Sequence, residues 1–186
     1  MNYKDYIQDF SNRAKKILEE FSKCDPSNKL NVTALLSVAT SSFVIPFERL
    51  KEFHPFNDRI LFKEIASRID EELKKNVSDS TLINKSELWR TKNLSKSSLK
   101  KTDFEDGFEA IKDEDKIESL FNTIRNALAH GNIYSYSKSD PSGNIDTLYF
   151  ISRKSNEKNA FFQILEANTS IEKLSKKRKI KFIMTL

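Results

Sequence analysis

Apolar residues recur at the spacing of an α-helix through most of the chain up to His130, and only 3 Gly and 4 Pro interrupt 186 positions. That period, with so little turn punctuation, argues against an all-β fold and for long helices. In the first stretch Tyr6, Ile7, Phe10, Ala14, Ile17, Leu18 and Phe21 fall on one face, leaving Lys15, Lys16, Glu19 and Glu20 to solvent. Asp25-Pro26 should end this helix, because a proline disfavours helical geometry in the residue before it.

A second helix is expected from Asn31 through Val32, Leu35, Leu36, Val38, Ala39 and Phe43. It is apolar around most of its circumference, which suits the centre of a fold. Pro46 should kink or end it, since proline removes a backbone donor and crowds the preceding turn. A third helix follows from about Asn57, with Ile60, Leu61, Ile65, Ile69 and Leu73 on one face and Asn57 as its N-cap. A fourth begins near Asp115 and carries Ile117, Leu120, Phe121, Ile124 and Leu128, with Gly131 placed to end it in the left-handed conformation.

Elsewhere the period changes. Between Asn76 and Lys101 it collapses into a basic, polar stretch, and from Asp103 to Asp115 the sign of charge reverses. A basic segment beside an acidic one reads as an insertion that binds nucleic acid or folds over its neighbour. Trp89, the single tryptophan, should tack it to the body. Beyond Gly131, Ile145–Ser152 and Ala160–Leu165 read as a β-hairpin, and Thr169-x-x-Glu172 as a capping box opening a basic terminal helix. The expectation is therefore a mainly α fold. A helical bundle spans 1–132 with a polar insertion at about 76–115, and 133–186 adds a small C-terminal β-hairpin and a terminal helix to the same unit.

Composition narrows the chemistry. The lone Cys24 forms no internal disulfide, and no Cys/His cluster has the spacing of a metal site, so neither metal nor cofactor is expected. No run is long and apolar enough to span a bilayer, and Met1–Tyr6 lacks the features of a signal peptide, which points to the cytoplasm. A net charge of +5 is compatible with a polyanionic partner without demanding one. His54 has no acidic or histidine partner at a recognisable spacing and reads as structural.

One segment combines ionisable residues with a setting suited to catalysis: Arg125-Asn126-Ala127-Leu128-Ala129-His130, followed by Gly131-Asn132. On a helix Arg125 and His130 lie about 140° apart around the axis, whereas Asn126 and His130, at i and i+4, share a face. Asn126 is thus expected to orient the imidazole while Arg125 addresses something beside it. In the last helical turn the dipole favours an imidazolium, and Arg125 offers a planar fork of donors suited to phosphate. A proton-transfer group beside a fixed cation is the minimum equipment for cleaving RNA through its own 2′-hydroxyl.

This segment resembles the signature of the HEPN superfamily (higher eukaryotes and prokaryotes nucleotide-binding domain): an arginine, a polar residue such as Asn, then a histidine a few residues on. Val32–Leu36 through Val44-Ile45-Pro46 and Glu48 is also similar to a helix in such proteins, and the resemblance covers about Asn2–Asn132. It implies a HEPN-like helical bundle that dimerises, so that the arginine and histidine of two copies meet in one composite cleft. It further implies metal-independent endoribonuclease activity leaving 2′,3′-cyclic phosphate ends, in a toxin or antiviral-defence effector with RNA as substrate. Family members are often restrained by a partner, here an antitoxin or a nucleotidyltransferase-like protein. The rival reading is a catalytically inactive HEPN module for binding or dimerisation. Lys92, Lys96, Lys100 and Lys101 in the loop, with Lys176, Lys177, Arg178 and Lys179 in the tail, are the candidate RNA-gathering cations.

Overall fold

The structure is a computed structural model describing residues 6–24, 31–51, 60, 62–80, 89–96, 98–136, 145, 147–156 and 159–168. Its chain divides into two compact units, one of residues 1–71 with 174–186 and one of residues 72–173. Asn57, His54 and the terminal helix expected from Thr169 lie outside the described residues.

In the first unit α1 (Tyr6–Cys24) ends where Asp25-Pro26 requires. It packs against α2 (Asn31–Ala39) and α3 (Ile45–Arg49), burying Ala14. Where Pro46 is expected to kink or end the helix, the helix widens locally. Residues 40–44 form a π-turn in which the Ile45 N–H reaches back to the Thr40 carbonyl, and the helical path runs on to Arg49. Such an insertion re-registers the ladder just before the one residue with no N–H to give. The hydroxyls of Ser41 and Ser42 both donate to the Val38 carbonyl within this stretch. Phe43, Val44, Pro46 and Leu50 are buried, whereas Val32, Leu35 and Leu36 of α2 are only half-buried. Then α4 (Lys63–Lys74) sets Ala66 against Leu50, with Phe62, Ile65 and Ile69 around them. Ile60, expected on this helix, precedes it and is 82 % exposed.

The second unit overturns the expectation of a mainly helical bundle with only a small C-terminal hairpin. It is built on a five-stranded antiparallel sheet of order β2-β1-β5-β4-β3. The strands are β1 (Trp89–Ser95), β2 (Glu109–Ala110), β3 (Ile133–Tyr136), β4 (Thr147–Asn156) and β5 (Asn159–Asn168). The hairpin expected near 145–165 exists as β4 and β5, but it is the middle of a sheet and not a small appendage. The polar stretch read as an insertion supplies β1, which pairs with β5 from Trp89↔Ala167 to Ser95↔Phe161. Strand formation depends more on what a segment packs against than on its own composition. A stretch as polar as Arg90-Thr91-Lys92-Asn93 accordingly enters the sheet on its partners' terms.

Period-two alternation sorts the two faces. On one face Leu148, Phe150 and Ser152 of β4 stand opposite Ala167, Leu165 and Gln163 of β5. Against this face lies α5 (Ile117–His130), burying Ile117, Leu120, Phe121, Ile124, Ala127 and Leu128. On the other face Tyr149 and Ile164 join Phe108 in a second core, with Leu94, Phe104, Tyr134 and Ile151 packed around it. Phe104 stacks on Tyr134 at 4.7 Å between ring centroids, and the Tyr149 hydroxyl donates to the Phe104 carbonyl at 2.9 Å. Burial, reinforced by the Glu166 carboxylate, pushes that hydroxyl up to about 12. The sheet is thus covered on both sides, which is why β4 and β5 are apolar on both faces.

Candidate functional site

The segment singled out by its chemistry forms the last turns of α5, a regular α-helix through His130. Gly131, at φ 66°, closes it in the left-handed region, where a side chain is strained. The N–H groups of Gly131 and Asn132 both turn back to the Ala127 carbonyl, the latter at 2.9 Å. The chain then enters β3 at once, and the Asn132 carbonyl accepts from the Ile151 N–H at 3.0 Å. His130 is exposed, Arg125 and Asn126 are half-buried, and Ala127 is fully enclosed within its own unit.

Asn126 does more than share a face with His130. Its Nδ2 donates to Ser152 Oγ at 3.1 Å, and Ser152, 1 % exposed, stands in the middle of the sheet. A second polar bridge lies one register step across: Gln163, paired with Ser152 in the ladder, donates from Nε2 to Ser119 Oγ at 3.2 Å. The Thr123 hydroxyl donates back to the Ser119 carbonyl at 2.9 Å. Ser119, Thr123, Asn126 and His130 succeed one another at spacings of four, three and four, a single stripe along the helix. Three members face polar groups of α5 or the sheet, and the fourth is the exposed imidazole. Ser152 and Gln163 escaped sequence reading because nothing but strand register brings them under this helix.

The loop cations divide. Lys92 Nζ donates to the Asp103 carbonyl at 2.8 Å and to the Asp106 carbonyl, and lies 5.3 Å from the Phe108 ring centroid. Lys96 Nζ bonds the Asp103 carboxylate. Both are therefore committed to closing the loop between β1 and β2, the folding-over that the paired charge runs allowed. Lys100 and Lys101 are exposed. Lys176, Lys177, Arg178 and Lys179 lie outside the described residues. Among the described residues no group of three or more His, Cys, Asp or Glu is placed to hold a metal, and no helix is long and apolar enough to cross a membrane.

A family model described as HEPN pEK499 p136 matches residues 1–181. The chain belongs to this HEPN family. No curated protein and no solved structure matches it. The family match runs past Asn132 through β3, β4 and β5, so in this HEPN protein the sheet lies inside the family's own boundaries. HEPN membership is compatible with ribonuclease or toxin function.

Proposed function

We propose that this HEPN protein is a metal-independent endoribonuclease, acting as a toxin or antiviral-defence effector in the cytoplasm. The observation that carries the reading is the exposed imidazole of His130 at the carboxyl end of α5, with Arg125 on the same helix. In the proposed step the substrate's 2′-oxygen, losing its proton, bonds to phosphorus as the bond from phosphorus to the 5′-oxygen breaks. The products are a 2′,3′-cyclic phosphate and a 5′-hydroxyl. His130 moves the proton and Arg125 stabilises charge on the crowded phosphate.

Arg125 and His130 do not share a face of so regular a helix, lying about 140° apart around its axis. A symmetric pairing of two copies is the simplest way to bring one chain's arginine to the other chain's histidine. Ala129 is exposed and leaves room for such an approach, whereas Ala127 is buried in its own unit.

Incubation of the purified protein with total cellular RNA in EDTA tests the reading. Cleavage is expected from the native chain and is expected to disappear in Arg125→Ala and in His130→Ala. Mixing the two variants should restore part of it if the site is shared between copies. RNA left equally intact by the native chain and by His130→Ala would leave the inactive binding module as the better reading.

A further inference from the structure

The stripe on α5 leaves one question: why the sheet buries a serine so completely beneath this helix. Ser152 is flanked on its own face by Phe150 and lies in register with Gln163, yet it is 1 % exposed. A hydroxyl there is costly unless it is bonded. Its partner is Asn126, the residue one helical turn before His130. Next along the strand, the Ile151 N–H donates to the carbonyl of Asn132, two residues after His130. Two neighbouring residues of β4 thus grip the chain on either side of the imidazole, one through a side chain and one through the backbone.

We propose that Ser152 is a positioning residue for the turn bearing His130, acting through Asn126. This rests on the ribonuclease reading for its consequence in catalysis, but the coupling itself is a property of the fold. With Asn126 held by the sheet and Asn132 held by the same strand, the last turn of α5 has little freedom to unwind or to rotate about the helix axis. The imidazole is then presented at a fixed place relative to the sheet and to whatever phosphate is bound beside it, which is what proton transfer at that phosphate requires. Asn is suited to the second place of the motif because it is short enough to stay against the sheet, and its amide can donate to a buried hydroxyl.

The test is a double-mutant cycle on the full chain with Ser152→Ala, Asn126→Ala and the pair. Two readouts are followed: kcat and KM from a concentration series of a single-stranded RNA, and the ring-proton NMR signals of His130, assigned by their loss in His130→Ala. Removing one neutral hydrogen bond should lower kcat about tenfold with KM little changed. Ser152→Ala should also move the His130 signals. In the Asn126→Ala background it should do neither, because the path through Asn126 is already gone. Ser152→Cys, which keeps a weak acceptor of similar size, should recover part of kcat and guards against a fold lost in the alanine variant. Gln163→Ala, at the neighbouring bridge, should leave the His130 signals in place. Additive effects in the cycle, or His130 signals unmoved in Ser152→Ala, overturn the proposal. A native chain that cleaves no RNA sinks the ribonuclease reading instead, and the NMR cycle then still decides whether Ser152 positions the turn.

Discussion

The ammonium of Lys92 on β1 donates to the backbone carbonyl of Asp103 at 2.8 Å, across eleven positions of sequence. The same nitrogen reaches the Asp106 carbonyl and sits against the Phe108 ring, so one cation gathers a whole loop onto the face of the sheet. Its charge is met by two backbone carbonyls and by the face of an aromatic ring.

Lys92→Met keeps the stem and removes the charge. We expect it to lower stability by about 1–2 kcal/mol, from the loss of hydrogen bonds made by a charged donor. Affinity for RNA and its salt dependence should stay as in the native chain. Chemical denaturation and a salt titration of RNA binding check the two halves. A flattened salt slope with unchanged stability would return Lys92 to the RNA-binding surface.

Asp103 gives the same loop a pH dependence. The Lys100 N–H, donating at 2.6 Å, and the Lys96 ammonium hold its carboxyl below the ordinary value of 3.8. A carboxyl depressed in the folded state adds stability above its unfolded value, and that stability is lost as pH falls through the folded one. The difference in stability between the native chain and Asp103→Asn should therefore be constant above about pH 5 and shrink as pH drops below 3.8. Thermal unfolding between pH 7 and 3 measures it. A difference that widens on acidification would show that the carboxylate is not what holds the loop.

These two residues also mark where the sequence could be read and where it could not. The helix ends at Asp25-Pro26 and Gly131 were legible because proline and glycine act locally, and α5 was legible because its apolar stripe has a single period. The hairpin showed as alternating runs. The strand β1 did not, since its apolar content is reduced to Trp89 and Leu94, and Lys92 is stabilised by carbonyls far along the chain. Read alone, Arg90 to Lys101 looks like a solvated basic loop. At the candidate site, Arg125, Asn126 and His130 announce themselves by residue type, but the bond from Asn126 to Ser152 depends on a helix meeting a sheet 26 positions later.

Gly131 ends α5 at φ 66°, with nothing within 4 Å of where a Cβ would stand. The penalty for a side chain there is backbone strain alone. Gly131→Ala should cost about 1 kcal/mol, and Gly131→Asn less, since asparagine tolerates the left-handed region. Denaturant midpoints for the two variants decide it. Equal losses would mean that the turn itself shifts, and the placement of His130 with it.

The last expectation concerns how substrate is gathered. With Lys92 and Lys96 occupied inside their loop, the cations left to meet phosphate are exposed Lys100 and Lys101 and the tail cluster Lys176, Lys177, Arg178 and Lys179. Each phosphate neutralised releases condensed counterions, so the logarithm of affinity falls with the logarithm of salt by about 0.7 per contact on a single strand. Replacing the four tail cations by Gln should flatten that slope by up to about 2.8 if every one of them reaches a phosphate. Replacing Lys100 and Lys101 should flatten it by at most half as much. Turnover of saturating substrate should survive both changes, because they remove contacts made equally in the ground and transition states. The order of the slopes carries the argument: native steepest, then the loop pair, then the tail variant. A tail variant with the native slope would assign those cations to solubility or to an acidic partner protein, and the phosphate contacts would then have to be sought at Lys100, Lys101 and Arg125.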